Sequence, residues 1–171
     1  PTVMSLLGGR ASVLLGDYWL VKGIESVLSV NTFSGKVIRI FSNTLSDLAE
    51  GELLQLQKAD TCDTTESDYY RIIYNKTASL FVASANTAAI SVSASDEKRK
   101  AAKLYAECLG IAFQIKDDIF DYEGGNLTGK PSGLDLKERK ITLPLLGAFV
   151  NAGEDMEKEI RAVVARADED A

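Results

Sequence analysis

The sequence predicts an all-α protein, and three observations carry that reading. Prolines stand at positions 1, 131 and 144, so Thr2 to Lys130 contains none of the residue that breaks helix interiors. Apolar residues recur three, four or seven positions apart, as in Leu45, Leu48, Leu53 and Leu56, and again in Ile72, Ile73 and Leu80. No segment shows the strict alternation of a half-buried strand.

The elements follow in order. Helices are expected near 3–15 and 17–31, ended by the turn-forming run Asn31-Thr32-Phe33-Ser34-Gly35. A helix over 36–59 carries the leucine pattern and stops at the polar stretch Asp60 to Thr65. The next, over 66–94, carries Ile72, Ile73 and Leu80 and stops before Ser95-Asp96. One over 96–123 holds Ile111, Ile115 and Ile119, followed by a single long loop from Gly124 to Ile141 and by helices over 142–152 and 155–168. With 171 residues, no internal repeat and no low-complexity linker, residues 1–171 read as a single all-α domain with a real core.

Composition removes whole classes of chemistry. The chain has 19 Lys and Arg against 25 Asp and Glu, a formal charge of −6, which argues against a reader of nucleic acid. It has no His, so a Ser-His-Asp triad, a Cys-His pair and an HExxH zinc site are excluded. Cys62 and Cys108 are too few for a disulfide framework and read as free thiols in a reducing, cytoplasmic setting. Thr77 to Ser95 is uncharged over 19 residues, but eight of these are Ser, Thr or Asn, which fits a central buried helix better than a transmembrane segment. No basic leader precedes an apolar segment, so no signal peptide is expected. Pro1 has no Met before it, and Ala-Asp-Glu-Asp-Ala follows directly on a helical pattern, so a longer parent protein is expected.

The strongest constellation is Phe113-Gln114-Ile115-Lys116-Asp117-Asp118-Ile119-Phe120-Asp121. On a helix Asp117 and Asp121 share a face, Asp118 lies one residue round, and Gln114 sits a turn earlier on the same side. Like charges so placed repel, and a hard divalent cation such as Mg²⁺ compensates them, held by one or two carboxylates plus phosphate oxygens. The alternative is a solvated acidic face. The glycine-rich run from Gly124 to Gly133, with Lys130 inside it, can close over a polyphosphate or form a plain surface turn. Within it Lys130 reads as a phosphate contact, and Asp135 with Glu138 as a cap opening a helical turn. Finally, Tyr69, Ile72, Ile73, Lys76, Thr77 and Leu80 form one stripe. A lysine on a buried stripe needs an anion, unless it snorkels at the helix edge.

Taken together, these residues resemble the trans-isoprenyl (polyprenyl) diphosphate synthase family. The matches run in family order: Gly16-Asp17-Tyr18, Gly51-Glu52-Leu53-Leu54-Gln55, Lys76-Thr77-Ala78, Phe113-Gln114 with Asp117-Asp118-x-x-Asp121, Gly129-Lys130 to Gly133-x-Asp135, and Lys140-x-Thr142-Leu143-Pro144. The resemblance covers essentially the whole chain, as the family's C-terminal half without its last helices.

It implies an isoprenoid synthase-type helical bundle around a central cavity. It also implies Mg²⁺-dependent condensation of an allylic prenyl diphosphate with isopentenyl diphosphate. By the resemblance, Asp117, Asp118 and Asp121 belong to the metal motif, Lys76, Lys130 and Lys140 contact the allylic diphosphate, and Thr77 and Gln114 lie near the developing cation. A homodimer is implied as well. The family's first DDxxD motif and the arginines for isopentenyl diphosphate precede the position of Pro1, so the chain alone is expected to be inactive. Arg139 departs from the glycine many members carry there. Gly16-Asp17-Tyr18-Trp19-Leu20 and Leu80 point to a longer product. Competing readings are a terpene cyclase of the same fold, a regulatory subunit of a heteromeric synthase, and a helical interaction module.

Overall fold

The computed structural model describes residues 2–30, 32–123 and 133–166, all of them in helices or in the turns between helices. They fall into two compact units, Pro1–Asn43 and Thr44–Ala171.

The first unit holds α1 (Val3–Leu28) and the start of α2 (Ser34–Thr61), which spans the boundary between the two units. The Thr2 side chain accepts from the Ser5 N–H and caps α1, satisfying one of the free donors at its start. The expected break at residue 16 is not there. Gly16 is helical, and the chain leaves the helical path at Gly8 instead, with φ 79° and ψ 169°. A lone glycine costs a helix only about 1 kcal/mol, so Gly16 continues it, whereas Gly8 uses a backbone angle that side chains disfavour. α1 buries none of its residues, and Leu6, Leu7, Leu14 and Trp19 are all exposed.

The second unit contains the rest of α2 and every other element. A reciprocal capping box between Thr65 and Asp68 opens α3 (Glu66–Ile73). The expected continuous helix over 66–94 is interrupted by a π turn at Tyr74–Ala78, after which α4 (Ser79–Ser91) resumes. Ala94 falls just beyond it. α5 (Asp96–Glu123) has the bounds the sequence suggests, and α4 packs along it. A short α6 (Leu134–Lys137) precedes α7 (Leu143–Ala152), which has Pro144 in its first turn, where a missing N–H costs nothing. α8 (Glu154–Arg166) carries Glu154, Asp155 and Glu157 at its positive end.

The core of this unit is Cys62, Tyr69, Ile73, Ile141, Leu146, Phe149 and Val164. Arg161 ties α8 down by donating to the Cys62 carbonyl at 2.8 Å while its guanidinium sits 4.4 Å from the Phe149 ring. No helix among the described residues is long and apolar enough to cross a membrane. The uncharged stretch from Thr77 to Ser95 is instead the π turn, α4 and the turn after it, with Ala78, Ser79 and Ile90 buried.

Candidate active site

A cavity of about 450 Å³ lies within the second unit, between α2, α3, the π turn, α5, α6 and the segment leading into α7. Its walls carry Asp117, Asp118, Asp121, Asp135 and Glu138 against Lys58, Lys76 and Lys140, with Ile72, Ile73, Phe120 and Ile141 as apolar lining. Of the residues singled out in the sequence, Lys76, Thr77, Gln114, Asp117, Asp118, Asp121 and Lys140 all line it. Lys130 lies outside the described residues.

Two glycines set the π turn against its neighbours. A Cβ on Gly51 of α2 would stand 2.8 Å from both Asn75 Cβ and Lys76 Cγ, and one on Gly110 of α5 would stand 2.6 Å from Ala78 Cα. Only glycine lets both helices approach this closely. The Ser79 hydroxyl donates back to Asn75 O within the turn at 2.7 Å. Lys76 does not snorkel. Its ammonium reaches Glu52 at 2.9 Å and Gln55 Oε1 at 2.7 Å, and its side chain is only 23% exposed.

The α5 wall is a regular helix. Thr77 Oγ1 donates to Gln114 Oε1 at 2.7 Å, Gln114 Nε2 donates to Asp118 Oδ1 at 2.8 Å, and Tyr69 donates its phenolic proton to Asp118 Oδ2 at 2.6 Å. Asp118 is only 6% exposed. Burial raises its pKa above the ordinary carboxylate value, despite the Tyr69 and Gln114 donors, and Asp117 adds to the rise. Burial also raises the Tyr69 pKa, with Asp118 contributing.

Asp121 has a different task. Its Oδ1 accepts from Leu134 N at 3.1 Å and its Oδ2 from Asp135 N at 3.0 Å, while its carbonyl accepts from Gly133 N at 3.0 Å. Asp121 therefore caps α6 from the last turn of α5, and the cap expected of Asp135 is not found. Gly133, in the left-handed region, occupies the N-cap position with no side chain to offer, so the carboxylate comes from α5. Asp135 instead lines the cavity, where burial and then the charges of Asp118 and Asp121 push its pKa up to about 7. Lys140 pairs with Glu138 and stands 4.0 Å from Asp135. Burial works against its ammonium, yet Glu138, Asp135 and Glu52 together raise its pKa.

Among the described residues no three acids, cysteines or histidines gather into a metal site complete in itself. Both oxygens of Asp118 serve Tyr69 and Gln114. The donor set fits Mg²⁺, a hard cation usually held by one or two carboxylates with substrate phosphate supplying further oxygens. Asp117 and Asp121 lie on the cavity to provide them, Asp121 through the lone pairs left beside its two backbone donors, whereas Asp118 is buried between its two side-chain partners.

Sequence reasoning missed Tyr69 as more than packing, along with the partners Glu52 and Gln55. A signal existed for Tyr69, because a tyrosine on a buried stripe needs a partner for its hydroxyl. Glu52 and Gln55 lie within a matched motif but on a helix distant in sequence from Lys76, so spacing could not pair them.

Known proteins resemble this chain in sequence and in fold. The octaprenyl diphosphate synthase of Escherichia coli (strain K12) is 38% identical over 164 residues, 95% of this chain and 50% of that protein. The crystal structure of a decaprenyl diphosphate synthase from Rhodobacter capsulatus matches with a TM-score of 0.86 at 37% identity, over 98% of this chain and 51% of that one. A polyprenyl synthase from Caulobacter crescentus CB15, complexed with calcium and isoprenyl diphosphate, matches with a TM-score of 0.86 at 34% identity, over 96% and 50%. The chain thus spans about half the length of the relatives it matches. The polyprenyl synthetase family model matches residues 1–171 throughout, and the all-α chain belongs to that family.

Proposed function

We propose that the whole protein carrying this chain condenses an allylic prenyl diphosphate with isopentenyl diphosphate to give a longer trans-prenyl diphosphate. One observation carries the reading: Lys76, Lys140, Asp117 and Asp121 face a single cavity that also has an apolar lining, as a diphosphate with a hydrocarbon tail requires. Lys76 and Lys140 bind the allylic diphosphate and hold it as negative charge builds on it. Asp117 and Asp121 would hold Mg²⁺, which when bound supplies positive charge to the diphosphate oxygens. The oxygens of Thr77 and Gln114 present lone pairs toward the allylic carbon as it becomes positive. The allylic C–O bond breaks, a C–C bond to isopentenyl diphosphate forms, and one proton leaves with the inorganic pyrophosphate. Apolar lining excludes water, which would otherwise trap the cation as an alcohol.

The relatives named as octaprenyl and decaprenyl synthases support a long product. Free cysteines, with Cys108 exposed, suit the cytoplasm, and the family resemblance supports a homodimer. The test is incorporation of labelled isopentenyl diphosphate by the whole protein, with Mg²⁺ and a series of allylic starters. Chain-extended product that disappears on chelation is expected, and no product with any starter overturns the proposal.

A further inference from the structure

We propose that Tyr69 is a positioning residue that anchors a hydrogen-bonded relay ending at Thr77, whose polarity is set by the Asp118 carboxylate. The inference rests on the prenyl transfer proposed above but concerns the role of Tyr69, which lies outside the matched motifs. The relay runs Tyr69 to Asp118 at 2.6 Å, Gln114 to Asp118 at 2.8 Å, and Thr77 to Gln114 at 2.7 Å.

Each link constrains the next. A carboxylate only accepts, so the Gln114 amide must turn its NH₂ to Asp118, which leaves Oε1 facing Thr77. Thr77 then has to spend its one proton on Gln114, and its remaining lone pairs are free for the cavity. A hydroxyl fixed in this sense offers electron density to a positive charge. The reverse sense would present a proton to it. Tyr69 is 2% exposed and sits in the core on α3, so its hydroxyl anchors the buried end of the chain.

The two ends of the relay respond differently to substitution. Tyr69→Phe removes the anchoring donor and leaves Asp118 free to turn. Asp118→Asn reverses the relay: with Tyr69 donating to the new amide oxygen, its NH₂ faces Gln114, which then offers its own NH₂ to Thr77.

The experiment uses the whole protein and measures kcat and KM for the allylic substrate, together with Mg²⁺-dependent binding of inorganic pyrophosphate by calorimetry. Tyr69→Phe should lower kcat about tenfold, the loss expected for one hydrogen bond to a charged group, with KM and pyrophosphate affinity within twofold of wild type. In a Thr77→Val background, where the relay has no hydroxyl left to orient, the same substitution should change kcat less than twofold. Asp118→Asn should lower kcat more than Tyr69→Phe while leaving pyrophosphate affinity intact. Equal losses from Tyr69→Phe in both backgrounds would make Tyr69 merely structural, and loss of pyrophosphate affinity in Asp118→Asn would make Asp118 a metal ligand. Either result overturns the proposal.

A readout independent of turnover is the Gln114 side-chain amide in ¹⁵N-edited NMR, whose protons should exchange faster in Tyr69→Phe than in wild type. Unchanged exchange overturns the relay. A wild-type protein that forms no product at all, yet shows protected Gln114 protons, overturns the prenyl transfer and leaves the relay geometry standing.

Discussion

The cavity's two polar walls are built on different principles. Along α5 a regular helix supplies Gln114, Asp117, Asp118 and Asp121 by spacing alone. At Tyr74–Ala78 the helix is deformed, and Lys76 and Thr77 face the cavity from a turn held by close approach of Gly51 and Gly110. The regular wall concentrates charge at no conformational cost, and its acids must be compensated from outside. The irregular wall stores its precision in packing, so its functional residues depend on neighbours that carry no chemistry.

Substitutions can separate the two. Asp117→Ala, on the regular wall, should lower turnover of the whole protein by about 10²–10³ while the melting temperature barely moves, because one of the carboxylates that would hold Mg²⁺, and with it positive charge for the leaving diphosphate, is lost. Pre-steady-state rates checked beside thermal melts decide it, and a variant that melts early but turns over normally per folded molecule breaks the contrast. On the irregular wall, Lys76→Ala should cost roughly 10² in turnover, less than Asp117→Ala because Lys140 faces the same cavity.

Gly110→Ala tests packing directly. Overpacking against the Ala78 backbone costs about 1–3 kcal/mol. The better helix propensity of Ala returns about 1 kcal/mol, so denaturant titration should show a net loss of up to about 2 kcal/mol. A stabilised Gly110→Ala protein would mean that the π turn is not clamped at all. Gly51→Ala should lose a comparable amount, since the Asn75 Cβ and Lys76 backbone N it meets are fixed to the π turn.

The smallest effect expected is at Asp135, whose pKa of about 7 lies above its ordinary 3.8. Between those values the folded protein binds the proton that the unfolded chain has released, so stability falls as pH rises through that window and stays reduced above it. Asp135→Asn should therefore raise the melting temperature by about 2–4 °C at pH 8 in buffer without divalent cations, and leave it unchanged near pH 3. The same rise at both values would point to a cause other than ionisation.

Much of this was legible in the sequence, and the exceptions have physical causes. The bounds of α5 and its row of acids follow from periodicity, a local property. The π turn does not, because Tyr74-Asn75-Lys76-Thr77-Ala78 has ordinary helical residues and is deformed within its packed surroundings. Nor does the break in α1, where Gly8, Gly9 and Gly16 look alike in sequence and only Gly8 leaves the helical path. The pairing of Lys76 with Glu52 bridges helices far apart in sequence. Asp121 as the cap of α6 was hidden for a similar reason, its partners lying on another helix.

That cap has a consequence for how position 121 can vary. With its carbonyl and both carboxylate oxygens holding the backbone of Gly133, Leu134 and Asp135, Asp121 sets where α6 begins and, with it, the place of Asp135 on the cavity. A substitution at position 121 is therefore felt twice, once in the row of acids along α5 and once in the register of the helix that follows.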